Sequence, residues 1–245
     1  MRKKILLTGS NGNLAKEILL VLFEHETIGC DIHLENKNNV NHYFKVDFRS
    51  DPEIEKFHQN LIAKNLAPDI IINNAAVDSV PSIESKNKGW NKDKFFEYFQ
   101  VNVKAPAVLF SLFTDYWTKN NIKAQIINFT SIYNKVSPDP KLYRTGFIKD
   151  VNYGASKAAF VNIFKQFAVI HSNSNQSINI NFIELGGVES SLQDEEFKNN
   201  YLNRIPDSSF VKKENVSKAI SFLITLNNEG INGLTISIDS GYTLI

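Results

Sequence analysis

The sequence predicts an α/β fold: a single domain built on a doubly wound parallel sheet of about seven strands. Three observations carry this. Short apolar runs alternate with longer amphipathic stretches along the whole chain, the pattern of repeated strand–helix–strand units. The first run feeds a glycine-rich turn, Thr8-Gly9-Ser10-Asn11-Gly12-Asn13-Leu14-Ala15, that opens a helical stretch. The chain has 245 residues, 42% of them hydrophobic, which suits one domain with a full core.

The elements follow in order. Residues 4–7 are an apolar run cut short by Gly9, and residues 14–23 beyond the turn carry helical apolar spacing. Residues 27–30 and 42–46 read as the second and third strands, with a helix over 52–64 behind them. The fourth strand covers 69–72, a long helix 94–117, the fifth strand 125–129 and its following helix 153–170. A strand over 178–183, a helix over 214–226 and a last strand over 234–238 complete the series, with no repeat or linker between them. In a Rossmann sheet of this kind ligands bind beyond the carboxyl ends of the strands. Every motif below falls just after one.

Bulk properties exclude other classes. A formal net charge of +1 gives no electrostatic case for nucleic acid or membrane as the main partner. No stretch approaches the roughly 20 apolar residues of a membrane span. The opening Arg2-Lys3-Lys4-Ile5-Leu6-Leu7 imitates a secretion signal, but Gly9-Ser10-Asn11-Gly12 ends the apolar run too early. The single cysteine, Cys30, excludes an intrachain disulfide and fits a reducing, cytoplasmic setting as a small buried strand-end residue. Histidines at 25, 33, 42, 58 and 171 are scattered, so no metal site is expected.

The amino-terminal half points to a dinucleotide. Small residues in the Gly9-x-x-Gly12-x-x-Ala15 turn let the backbone approach a pyrophosphate, while the helix start behind them supplies free N–H groups. Gly9, Asn11, Gly12, Asn13 and Leu14 are the candidate ligands there; an ordinary β–α turn is the plain alternative. Asp31 ends the second strand, where a carboxylate accepts bonds from the adenosine ribose and repels a 2′-phosphate. With no Arg or Lys in the turn, NAD is favoured over NADP. Asp47 and Phe48 follow the third strand and could cap the adenine, Asp47 serving equally well near a helix start at Ser50-Asp51. Asn74, Ala75 and Ala76 follow the fourth strand, where small residues let the nucleotide cross the sheet.

Tyr153-Gly-Ala-Ser-Lys157 carries the chemistry. At helical spacing the two side chains share a face, and a nearby ammonium favours the phenolate. The phenol could then give or take a proton at a carbonyl or alcohol while a cofactor moves hydride. An exposed Tyr/Lys face is the plain alternative.

In order along the chain, the glycine-rich turn, Asn73-Asn74-Ala75-Ala76, Asn102, Thr130-Ser131 and Tyr153–Lys157 resemble the short-chain dehydrogenase/reductase family over essentially the whole length. The resemblance implies that Tyr153 exchanges the substrate proton and that Lys157 lowers its pKa and bonds the nicotinamide ribose. It implies that Ser131 holds the substrate oxygen and that Asn102 fixes a water leading to Lys157. It also implies that Gly186, Val188 and Ser190 line the nicotinamide side. The family's Pro-Gly after strand six reads Leu185-Gly186-Gly187 here, so a stiffening proline is absent.

Ser131 and Tyr153 lie 22 positions apart, further than the family usually leaves, which marks a substrate-side insert at about 132–152. Its Lys135, Lys141, Arg144 and Lys149 outnumber Asp139 and Asp150, and Lys141 and Arg144 are the candidate grips for an anionic substrate. The insert, Gly186-Gly187-Val188 and Asp239-Ser240-Gly241-Tyr242 resemble a subgroup associated with flagellar and surface sugar (nonulosonic acid) biosynthesis. The implied activity is NAD(P)-dependent interconversion of a secondary alcohol and a ketone on a sugar. An epimerase with tightly held NAD and a catalytically weak NAD-binding regulatory module stay open as alternatives. The apolar carboxyl-terminal strand and tail, 234–238 and 242–245, resemble the segment through which family members assemble, which implies a homodimer or homotetramer.

Overall fold

The computed structural model describes residues 2–78, 89–144, 147–172, 178–191, 193–226 and 230–245. Seven strands form one sheet: β1 (Lys4–Thr8), β2 (Glu26–Asp31), β3 (His42–Lys45), β4 (Ile70–Asn73), β5 (Ala124–Ser131), β6 (Ile178–Leu185) and β7 (Thr235–Ile238). They lie in the order β3-β2-β1-β4-β5-β6-β7, and every pair is parallel. The expected doubly wound sheet is therefore present. Its order switches between β1 and β4.

The period-two pattern of β1 shows how the layers close. Leu6 packs with Ile28, Ile71, Ile126 and Ile180 into one core, while Ile5 and Leu7 turn to the other with Ile70, Ile72, Ile127 and Ile183. The first core is covered by α2 (Asp51–Ala63), α4 (Ala105–Asn120) and α5 (Val151–Ser172), the second by α1 (Ala15–Leu20) and α7 (Lys213–Thr225).

Three features depart from the sequence reading. The long helix expected over 94–117 is divided into α3 (Phe95–Phe99), a π-helical segment at Gln100–Lys104, and α4. Pro106 has no N–H, so the ordinary bond back to the Asn102 carbonyl cannot form and the wider winding takes its place. Helix α6 (Glu195–Arg204) was not expected. Asp194 caps it, accepting the Phe197 N–H at 2.7 Å. The insert, finally, carries a core of its own that its charged sequence does not announce. Its Leu142, Tyr143 and Phe147 form a third core with Ile132, Phe197 and Tyr201 of α6, and Tyr242 of the tail.

Candidate active site

The carboxyl ends of β1, β2 and β4 frame a cleft of about 520 Å³. Gly9 adopts φ +63°, and a Cβ there would lie 2.8 Å from Ala75 Cα, so the first turn can approach β4 only as glycine. Asn74 locks that approach. Its amide donates to the Thr8 and Gly9 carbonyls at 3.0 Å each, while the Asn74 and Ala75 N–H groups donate to Thr8 Oγ1. Gly9, Gly12, Asn13 and Leu14 line the cleft beside Ala75 and Ala76. No side chain caps the start of α1, although its first N–H, that of Ala15, donates to the Gly12 carbonyl at 3.1 Å.

Asp31 lines the same cleft. Its carboxylate accepts the Asn11 N–H at 3.1 Å and the His33 N–H at 3.2 Å. Asn11 itself lies outside the lining. Its side chain donates to the Glu35 carbonyl and Tyr43 hydroxyl and accepts the Lys37 N–H, pinning the loop after β2. Asp47 and Phe48 line the far end. The Asp47 carboxylate is gripped by Arg49 at 2.7–3.1 Å, and this bonding holds it below the usual carboxylate range. Ser50, not Asp47, caps α2. Two cations that sequence order does not place here are thus present. Arg49 enters the cleft, and Lys213 of α7 donates to Asn13 Oδ1 at 2.7 Å. The small-residue turn, uncapped helix start and terminal carboxylate fit a nicotinamide dinucleotide, the pyrophosphate at Gly12–Leu14 and the adenosine ribose at Asp31.

Beyond Tyr153 the cleft meets a second cavity of about 320 Å³. Tyr153, Val188 and Asp78 line both spaces, so the phenol stands at their junction. Tyr153 and Lys157 project from the first turns of α5, and Ser131 ends β5. Ser131 lines the same cavity as the phenol. Lys157 is buried, donates to the Phe129 carbonyl at 3.3 Å, and holds its Nζ 5.8 Å from the Tyr153 ring centre. Burial and then the Asp78 charge push the phenol well above its ordinary value, against a smaller lowering by Ser131. Burial also lowers the Lys157 ammonium to about 8, with Asp78 opposing. The Lys157 ammonium therefore stays largely protonated at neutral pH.

The Asn102 side chain is engaged by the protein itself. Its amide accepts the Val77 N–H at 2.8 Å and donates to the Val77 carbonyl and to Ser156 Oγ at 3.0 Å each. Ser156 in turn donates to the Tyr153 carbonyl. Asn102 thus fixes the chain just before Asp78 and ties it to the catalytic helix.

The second cavity is walled by Tyr133, Tyr143, Phe197 and Tyr201, with Gly186, Ser190 and Gln193 at its polar side. Tyr133 and Tyr143 share a hydroxyl–hydroxyl bond of 3.1 Å. Gly186 and Gly187, which follow Leu185 in the place of the expected proline, are sterically required: added Cβ atoms would lie 2.8 Å from Asp239 Cα and 2.6 Å from Tyr201 Cζ. Tyr201 accepts the Gly187 N–H. Lys141 and Arg144 do not line the cavity, and Lys141 is exposed on the outer turn of the insert. Lys135 is bound instead to Glu184, a buried carboxylate of β6 that also accepts from Asn134 and Ser237. The insert's cation that reaches the cavity is Lys149.

A parallel sheet with a dinucleotide cleft and a Ser–Tyr–Lys group defines an oxidoreductase of the alcohol–ketone type. Residues 31–243 match the family described as Enoyl-(Acyl carrier protein) reductase, and the chain belongs to the short-chain dehydrogenase/reductase family. It is 25% identical to the 3-oxoacyl-(acyl-carrier-protein) reductase FabG of Buchnera aphidicola, over 98% of this chain and 97% of that one. It is equally 25% identical to the 2-dehydro-3-deoxy-D-gluconate 5-dehydrogenase of Dickeya dadantii, over 98% of this chain and 95% of that one. A short-chain dehydrogenase structure from Leptospira borgpetersenii, with bound NAD+, superimposes with TM-score 0.86 at 23% identity, covering 99% and 93% of the two chains. Among the described residues no helix is long and apolar enough to cross a membrane.

Proposed function

We propose that this protein interconverts a secondary alcohol and a ketone on a sugar or sugar acid, with NAD preferred over NADP. The observation that carries the reading is the position of Tyr153. Beside Ser131, it stands where the dinucleotide cleft opens into the tyrosine-walled cavity. A substrate hydroxyl there would meet both side chains. The cofactor, when bound, supplies the hydride acceptor or donor. In oxidation Tyr153 receives the hydroxyl proton, Ser131 holds the oxygen as its charge changes, and Lys157 keeps the phenolate accessible. In reduction the proton runs the other way.

Asp31 supports the cofactor choice, because a carboxylate ending β2 would repel a 2′-phosphate on an adenosine ribose bound there, and Arg49 is already bound by Asp47. Hydroxyl-rich walls and the likeness to a gluconate-type dehydrogenase support a polyhydroxylated substrate. A place in surface-glycan assembly rests on the insert and the Gly186-Gly187-Val188 loop. The likeness to FabG favours a second reading, reduction of a 3-oxoacyl thioester. Following NADH and NADPH by absorbance with neutral sugars, sugar acids and acetoacetyl thioesters separates the two. Turnover confined to the thioester would overturn the sugar reading. Sugar isomerisation without net NADH change would instead select the epimerase.

A further inference from the structure

Lys149 is a cation in an unusual place. It comes from the insert, its side chain is only 9% exposed, and it lines the cavity in which the substrate would lie. Its Nζ stands 4.9 Å from the centre of the Tyr153 ring. The counter-ion is Asp78, whose Oδ1 and Oδ2 lie 2.6 and 2.7 Å away. The two partners are unequally placed. Asp78 is 40% exposed at the junction of cleft and cavity, so its carboxylate can move into water at small cost. Lys149 has no such exit. A nearly buried ammonium must keep an anion beside it, but nothing requires that anion to be Asp78.

Resting on the oxidoreductase reading, we propose that Lys149 is the residue that recognises the substrate, and that the substrate is a hydroxy acid or the matching oxo acid. The substrate carboxylate takes the place of Asp78 on the Lys149 ammonium. Because Lys149 lies over the Tyr153 ring, the acid group sits a few bonds from the carbon that reacts. Lys135 cannot do this, being bound to Glu184, and Lys141 and Arg144 lie off the cavity. A carboxylate fits better than a phosphate. Asp78 and Asp194 also line the space, and among the described residues Lys149 is the one cation on the lining, so a dianion would meet two carboxylates and a single ammonium.

The test uses the full chain with NAD present. Lactate, 3-hydroxybutyrate, gluconate and galactonate are titrated calorimetrically, each against its neutral alcohol counterpart, with inorganic phosphate as a further probe. At least one acid should bind more tightly than its counterpart. Lys149→Met should weaken that acid on the order of 10–100-fold, leave the neutral compound and NAD unchanged, and be largely rescued in Lys149→Arg. Asp78→Asn, which removes the competing carboxylate, should tighten the acid. If no acid exceeds its counterpart, if Lys149→Met and Lys149→Gln leave the preference intact, or if phosphate binds more tightly than every acid, the proposal is overturned. Acid binding that depends on Lys149 without any NADH formed would uphold it and sink the alcohol–ketone reading instead.

Discussion

Tyr153, the phenol proposed to exchange the substrate proton, sits in surroundings that hold its own proton tightly. Burial raises it and Asp78 adds to this, with Ser131 giving a smaller lowering. Tyr153→Phe should therefore cost about 10²–10⁴-fold in kcat while NAD affinity, read by fluorescence titration, stays near wild type. Lys157 bears the opposite burden. Its folded pKa of about 8 lies below the ordinary 10.5, a difference on the order of 3 kcal/mol against the fold. That penalty is complete below about pH 8 and fades as pH rises toward 10.5. Lys157→Met should lose turnover yet raise the Tm at pH 7, with the gain shrinking through the same alkaline window. An unchanged Tm at both pH values would show that the ammonium is better solvated than its burial implies. At the cofactor's other end, Asp31→Ser should narrow the NAD-to-NADP affinity ratio, because the repulsion of a 2′-phosphate goes with the carboxylate. A ratio unmoved by the substitution would assign Asp31 to holding Asn11 and His33 alone.

Elements were legible in proportion to how much apolar surface they bury. The central strands stand out because both faces of a parallel sheet are covered there, and their ends carried Asp31 to the cleft and Ser131 to the cavity beyond it. Helix α6 was hidden because it buries only Phe197 and Tyr201, two aromatics among polar residues. Asp194 followed by Glu195-Glu196 was the available cap signal. The π-helical turn was equally hidden, since Pro106 near a helix start reads as ordinary. Charged insert residues look alike in sequence, and only the fold separates Lys149 in the cavity from Lys135 on Glu184 and Lys141 in water. The link between α6 and the loop after β6 is open to test. An Ala at Gly187 would bring its Cβ to 2.6 Å from the Tyr201 ring, which is held by stacking on Phe210 at 5.0 Å and on Tyr242 at 5.5 Å. Gly187→Ala should cost about 1–3 kcal/mol by overpacking and raise KM more than it alters NAD affinity. Adding Tyr201→Leu should recover part of the stability in denaturant titrations. No recovery would place the strain elsewhere in the loop.

The tail raises the question of what covers the whole molecule. Its backbone is well tied: Asp239 accepts the Gly241 and Thr243 N–H groups, and Arg204 of α6 donates to the Ile245 carbonyl. Tyr242 is buried. Yet Leu244 and Ile245, fixed by the same contacts, are 81% and 67% exposed, and β7 beside them forms an edge of the sheet. Ordering a chain end costs conformational entropy, and holding apolar side chains in water returns nothing for it. An edge strand flanked by exposed apolar residues gains from being covered. A second copy of the chain, meeting the first through β7 and the tail, removes both liabilities by one symmetric contact. Sedimentation velocity at micromolar concentration should show a dimer or larger assembly, and Leu244→Glu with Ile245→Glu should shift it toward monomer. The shift should reach the site as well. The tail carries Tyr242, Tyr242 stacks on Tyr201, and Tyr201 bonds the Gly187 N–H beside the cavity. The monomeric variant is thus expected to keep its NAD affinity and to show a higher KM. A wild-type chain that sediments only as monomer would leave the exposed tail without this explanation and disconnect assembly from catalysis.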